Sequence, residues 1–262
     1  MDPRAAFDAD GVVHLPGRMA PAAVAALRDA AWAALATRGI ERDAPATWAA
    51  GGGLPLIEVA GALRPAPAAA ELLWQIGRDP VFAPVPRLLQ RALDEVFGPD
   101  VWAPVDDGPG GLLMPNFPAA AAWEVPHAAW HMDEPMAPRQ PLPWGMLGFL
   151  LLDDVAPGGG ATVVVAGSPR RLAQLADDAA AVVTTDTALA ALVDEPWYGA
   201  LLDRDRTAPI GPGWSGDVPQ RIVELVGAAG DLTLMDPRCL HTVSANASSR
   251  ARLTLRLVCG RA

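Results

Sequence analysis

Trp130-His131-Met132-Asp133 (WHMD) is the stretch from which the rest of the chain is read. A histidine and an aspartate two apart share one face of a β-strand, about 6–7 Å apart along it. There they can grip one metal ion, provided a third ligand arrives from a distant strand. His241 lies just after a strand-like run near the far end of the chain. A fold that brings residues 131 and 241 together is therefore required, and a barrel of short strands does this. For a lone histidine, a satisfied core position is the commoner reading. The His-x-Asp spacing, the place of His241 and a total of only four histidines argue for a metal site here.

Two imidazoles and one carboxylate on one side of a metal, with the other positions open, is the arrangement of non-haem Fe(II) oxygenases. His127 would share the face of a continuous strand with His131 and Asp133, as a ligand, a group behind the ligands or a substrate contact. Pro126 makes such a strand less regular. The last strand, Arg252 to Val258, alternates: Leu253, Leu255 and Leu257 take one face, and Arg252, Thr254 and Arg256 the other. Arginines facing into a barrel are costly unless they meet an anion, and a carboxylate matches the guanidinium fork. The periodicity alone equally allows a solvent face that carries these arginines.

Further outward, a helical N-terminal part precedes a series of short strands. Residues 7–16 read as a turn and a strand, Val12 to Leu15. Helices follow at about 21–37, 68–76 and 84–97, the last with apolar residues at helical spacing and Gly98-Pro99 as its stop. Residues 41–67, with Gly51-Gly52-Gly53 inside, read as loop with one short strand. Strands are expected at 112–117, 144–152, 161–166, 222–226, 232–235 and 252–258, separated by Gly, Pro and Asp turns. Helices followed by many short strands imply helices packed against a jelly-roll. One domain over 1–262 is expected: helical to about residue 100, jelly-roll core over about 101–262. An excursion over about 170–220 carries Trp197, Tyr198 and Trp214 and reads as a lid, whose tryptophans can cover an apolar substrate.

Composition narrows the chemistry. The net charge is −10 over 262 residues and there is no lysine, which argues against nucleic acid as a partner and excludes Schiff-base and P-loop lysines. It also leans toward an uncharged or amphipathic metabolite as substrate. The two cysteines, Cys239 and Cys259, form no disulfide framework or zinc-ligand spacing. No signal-peptide pattern and no run long and apolar enough for a membrane span are seen. A cytoplasmic protein is the expectation.

Four blocks in order carry a resemblance. "DGVVHLPG" (10–17), "WHMD" (130–133), "FLLLDDVAPGGGATVVVAGSPRRL" (149–172) and "GDLTLMDPRCLHTVSAN" (230–246), with an arginine eleven residues after His241, resemble the phytanoyl-CoA dioxygenase-like family of Fe(II)/2-oxoglutarate oxygenases. Pro169 stands where the family usually has a histidine, and Met132 where it usually has glutamine; Met132 neighbours both ligands and could touch substrate. The resemblance implies that His131, Asp133 and His241 hold Fe(II). It implies that 2-oxoglutarate chelates the metal and pairs its far carboxylate with Arg252, with Thr162 and Asn116 on neighbouring strands adding hydrogen bonds. Dioxygen and a small-molecule substrate complete the reaction, which yields succinate and CO2. An aspartate at 133, where related halogenases have a small residue, favours hydroxylation, and natural-product metabolism is the expected setting. His127, Trp197, Trp214 and Arg256 are further candidates for substrate contact. Two other readings stand beside this one: a cupin-like metal-dependent isomerase, and a jelly-roll binding protein without catalysis.

Overall fold

The computed structural model describes residues 2–48, 55–104 and 111–262; Gly51 to Gly53 lie outside them. The N-terminal part holds four helices: α1 (Pro3–Asp10), α2 (Pro21–Ala36), α3 (Ala70–Gly77) and α4 (Val85–Phe97). Strands β1 (Val12–Leu15), β2 (Leu56–Val59) and β3 (Ala62–Pro65) lie among them. Then come β4 (Trp102–Pro104), β5 (Leu112–Asn116), β6 (Gly145–Leu151) and β7 (Thr162–Ala166). Helices α5 (Ser168–Ala179), α6 (Thr185–Leu192) and α7 (Pro196–Leu202) interrupt the strand series. It resumes with β8 (Gly213–Ser215), β9 (Val218–Glu224), β10 (Leu232–Met235), β11 (His241–Val243) and β12 (Arg252–Arg261).

The larger sheet runs β1-β10-β6-β12-β4, with β5 beside β4 on the same edge of β12. The smaller runs β11-β7-β9-β8, and β2-β3 is a separate hairpin. Alternation decides which side each residue serves. Met146 and Leu150 of β6, with Leu253, Leu255 and Leu257 of β12, are buried in one cluster with α1, α2 and α4. Leu147 and Phe149 face the other way, into a cluster with Val164 and Ala166 of the smaller sheet. The two sheets therefore enclose a layer between them, and Arg252, Thr254 and Arg256 project into it. Helix α4 closes the outer face with seven buried residues from Val85 to Phe97, as its helical spacing predicts. The fold is a jelly-roll of curled antiparallel sheets backed by helices.

Several boundaries differ from the sequence expectation. Residues 3–10 form a helix, capped by the Asp2 side chain, started by Pro3 and ended by Gly11 at φ 74; these are standard start and stop signals. The 41–67 loop holds a hairpin rather than one strand. The strand expected at 222–226 begins at Val218, and β8 precedes it, so the end of the 170–220 excursion belongs to the smaller sheet. Helices α5 to α7 pack on that sheet's outer face, where Leu172, Leu192, Tyr198 and Leu201 join Val163 and Val165.

Helix α3 meets β5 with no room to spare. A Cβ on Gly77 would lie 1.6 Å from the carbonyl oxygen of Gly111. Backbone cannot yield as a side chain can, so Gly77→Ala is expected to destabilise the protein by about 2 kcal/mol or more. Chemical denaturation measures this; an unchanged midpoint would show that α3 is free to shift.

Candidate metal centre

His131 and His241 face each other across a single β-bridge, each backbone N–H donating to the other's carbonyl at 3.0 Å. His241 begins β11, held in register opposite Val164 of β7. The strand expected around His131 is not continuous. Ala129 adopts φ 60, and the chain leaves the ladder after His131 so that the N–H groups of Asp133 and Glu134 turn to the Pro237 carbonyl. This turn curls the carboxylate back. Oδ1 of Asp133 lies 3.7 Å from Nε2 of His131, and Oδ2 lies 3.9 Å from Nε2 of His241. One ligand atom from each residue lies within 4.8 Å of the others.

The hydrogen bonds behind the rings fix their chemistry. Nδ1 of His131 lies 3.0 Å from the Ala129 carbonyl, and Nδ1 of His241 lies 3.0 Å from the Cys239 carbonyl. A carbonyl only accepts, so each Nδ1 carries the proton and each Nε2 offers a lone pair toward Asp133. Burial, and then the nearby His131, hold the His241 pKa down to about 4; its ring is neutral and ready to donate. His241 is buried while the His131 side chain is 44% exposed, so the set opens on one side. The donor set and this opening fit a divalent metal with free coordination positions.

Arg256 donates from Nη1 to Oδ2 of Asp133 at 3.1 Å. Thus the carboxylate met by the second inward arginine belongs to the candidate ligand set. Four residues earlier, at the start of β12, Arg252 is buried at 5% exposure and donates from Nη1 to the Thr254 hydroxyl at 2.7 Å. Its Nε has no partner among the described residues. Desolvation holds its pKa down to about 10 against the pull of Asp153. Asn116 lies directly opposite Arg252 on β5, its Oδ1 unpartnered while Nδ2 donates to the carbonyls of Gly160 and Ser244. Thr162 also has an unpartnered buried hydroxyl, but it sits on β7 in the smaller sheet, not on a strand neighbouring that of Asn116. The unsatisfied donors, Arg252 Nε and the Thr162 hydroxyl, suit an anionic ligand.

The other candidates are placed as follows. His127 is half-buried on irregular chain before Ala129, and it is not among the converging ligand atoms. His127→Ala is therefore expected to leave iron affinity within about twofold, whereas the loss of a ligand costs far more. Anaerobic Fe(II) titration measures this, and a loss equal to that in His131→Ala would make His127 a ligand. Met132 is buried beside Trp130 and Met136, and its N–H donates to the Thr185 hydroxyl at the start of α6. The 170–220 excursion thus grips the His-x-Asp turn. Trp197 donates its indole N–H to the Gly211 carbonyl, and Trp214 on β8 is 65% exposed. Among the described residues neither makes a hydrogen bond or ring contact with His131 or His241. The carbonyls of Ala129 and Cys239, and Thr185, were missed from the sequence, because backbone acceptors and a hydroxyl in a distant helix leave no motif.

Two histidines and a carboxylate on a jelly-roll whose interior also holds a buried arginine are the build of non-haem iron, 2-oxoglutarate-dependent enzymes. The chain belongs to the phytanoyl-CoA dioxygenase (PhyH) family, whose model matches residues 7–254, and is an enzyme of that class. Solved structures share the fold. The 2-oxoglutarate-dependent carbocyclase SnoK from nogalamycin biosynthesis is 17% identical with a TM-score of 0.57, over 98% of this chain and 82% of that one. EctD from S. alaskensis with bound Fe is 19% identical with a TM-score of 0.54, over 98% and 75%. The epimerase SnoN in complex with Fe3+, alpha ketoglutarate and nogalamycin RO is 18% identical with a TM-score of 0.51, over 98% and 82%. Comparison with curated proteins gives no match. Among the described residues no helix is long and apolar enough to cross a membrane, and both cysteines are free and buried.

Proposed function

We propose that this enzyme hydroxylates a small molecule: substrate, O2 and 2-oxoglutarate give hydroxylated substrate, succinate and CO2. His131, Asp133 and His241 would hold Fe(II), and Arg252 would pair the far carboxylate of 2-oxoglutarate. The convergence of the two Nε2 atoms and the Asp133 carboxylate is the observation that carries the reading. Iron, when bound, supplies the redox chemistry that couples decarboxylation to oxidation of a C–H bond.

The protein's own contribution is positional. The carbonyls of Ala129 and Cys239 keep both imidazoles in the donating tautomer. Arg256 holds the Asp133 carboxylate toward the rings, and Thr254 orients the Arg252 fork. The unpartnered Thr162 hydroxyl could donate to a bound carboxylate, while the unpartnered Asn116 Oδ1, an acceptor, would need a water between it and that carboxylate. Asp133 as a ligand supports hydroxylation, because it occupies the place a halide would need. A role in natural-product metabolism, in the cytoplasm, is in keeping with the two nogalamycin enzymes of this fold and the free cysteines.

Anaerobic Fe(II) with 2-oxoglutarate should give a weak visible charge-transfer band, and a substrate screen should show succinate release with one hydroxylated product per succinate. A metal-bound protein that gives no band would favour the cupin-like isomerase. Failure to bind Fe(II) would favour a non-catalytic binding protein.

A further inference from the structure

A cavity lies along β5, lined by Arg64 of β3, Ala70 and Leu73 of α3, Leu112 and Met114 of β5, and Arg252. In the β5–β12 register Asn116 stands opposite Arg252, Met114 opposite Thr254 and Leu112 opposite Arg256. Arg256 in turn touches Asp133. The cavity thus follows the strand pair that leads from the 2-oxoglutarate anchor toward the candidate metal ligands.

Arg64 is half-buried there, with no hydrogen-bond acceptor or carboxylate partner among the described residues. It is close enough to the other two inward arginines to feel them. Burial, and then the charge of Arg256, hold its pKa below the ordinary value, and Arg64 contributes to the lowering at Arg252. Three guanidiniums therefore face one region of a chain whose net charge is −10. Arg256 has Asp133. Arg252 has 2-oxoglutarate under the proposed function; the carboxylate nearest it in charge, Asp153, already accepts from the Leu253 N–H and lies 3.8 Å from Arg28. Among the described residues Arg64 is the one of the three left without an anion. A partly desolvated cation beside two others is unfavourable until an anion joins it.

The guanidinium fork fits a carboxylate in two parallel bonds. The other polar wall, Asn116, already donates its Nδ2 to the Gly160 and Ser244 carbonyls, and Ala70, Leu73, Leu112 and Met114 are apolar, so no second group of donors is offered to the three oxygens of a phosphate. We propose that Arg64 anchors the substrate, and that the substrate is a small, largely apolar molecule with one carboxylate. Its carbon chain lies along Leu112 and Met114 toward the metal ligands. This rests on the proposed function in assigning Arg252 to the cosubstrate. Of the uncharged or amphipathic metabolites that the net charge suggests, it selects the amphipathic, because the three arginines make the local field opposite in sign to the global one.

The test uses three probes of one chain length: octanoate, its neutral isostere octanamide, and octyl phosphate. Each is titrated by calorimetry into the anaerobic Fe(II)–2-oxoglutarate form of the protein. Wild type should bind octanoate about tenfold or more tighter than octanamide. In Arg64→Gln that preference should vanish, while affinities for octanamide and 2-oxoglutarate stay within about twofold. Arg64→Lys should keep part of the preference, since it retains charge without the fork. Equal binding of octanoate and octanamide by wild type overturns the proposal. So does tighter, Arg64-dependent binding of octyl phosphate, which would make the ligand a phosphate. A loss of 2-oxoglutarate affinity in Arg64→Gln would place Arg64 in the cosubstrate anchor and also overturn it. If wild type binds no 2-oxoglutarate with Fe(II), the proposed function fails instead. The octanoate preference is then read on the metal-free protein with the same two outcomes.

Discussion

Arg252→Ala is expected to weaken 2-oxoglutarate binding to the Fe(II) form by about 30-fold to several-thousand-fold, equivalent to about 2–5 kcal/mol for stripping one partner from a buried charge pair. Arg252 is buried, one branch of its fork is held by Thr254, and its Nε is unpartnered. That leaves a preorganised, largely buried donor facing the cavity. Fe(II) affinity without 2-oxoglutarate should barely change, because Arg252 is not a ligand. Arg252→Lys should recover only part of the loss, since an ammonium cannot reproduce two parallel bonds. Arg256→Ala is the control: its guanidinium is committed to Asp133, so its effect should appear in metal binding first. Titration of 2-oxoglutarate into each anaerobic Fe(II) variant decides the assignment. Normal binding in Arg252→Ala with loss in Arg256→Ala would move the anchor four residues along β12.

The β12 result shows what alternation can carry. Leu253, Leu255 and Leu257 go to the helices and Arg252, Thr254 and Arg256 to the interior, as the period of two requires once the strand has a covered face. Periodicity alone could not say whether the arginine face met solvent; the smaller sheet, built from residues far away in the chain, settles that. The reverse holds at Trp130 to Asp133. The spacing pointed to a pair whose side chains the structure brings together, but for a strand-based reason that the structure replaces. A positive φ at Ala129 and two bonds to the Pro237 carbonyl make a turn, and the carboxylate comes within 4 Å of both rings instead of one strand step away.

Other features were written plainly but read too coarsely. Asp2, Pro3 and Gly11 spell a capped helix, yet an eight-residue helix rich in alanine lacks a strong apolar stripe. The excursion after β7 reads as a lid because it breaks the strand series. Its helices instead bury Tyr198 and Leu201 on the outer face of the smaller sheet, and the Thr185 hydroxyl clasps the turn behind Met132. Arg64 had no motif at all. Its meaning depends on two arginines nearly two hundred residues away, which only the fold brings near.

Asp133→Ala is expected to lower Fe(II) affinity by more than about a hundredfold, beyond the tenfold to hundredfold loss typical of a group behind a ligand, and to abolish hydroxylation. The carboxylate is the one anionic donor of the set, placed between the two Nε2 atoms. Its removal also leaves Arg256 unneutralised beside the vacated position, so an incoming cation meets both a missing donor and an exposed like charge. Arg256→Gln separates the two contributions. It keeps the carboxylate and loses only its support, so its effect should fall within about tenfold to a hundredfold. In the alanine variant, chloride could occupy the freed space and partly neutralise Arg256. Iron binding by Asp133→Ala should therefore strengthen as chloride replaces a non-coordinating anion at constant ionic strength, a dependence absent from wild type. Anaerobic Fe(II) titration in the two salts measures it, alongside succinate release. Full 2-oxoglutarate-dependent turnover in Asp133→Ala would remove this aspartate from the metal set, and with it the reason for reading His131 and His241 as ligands.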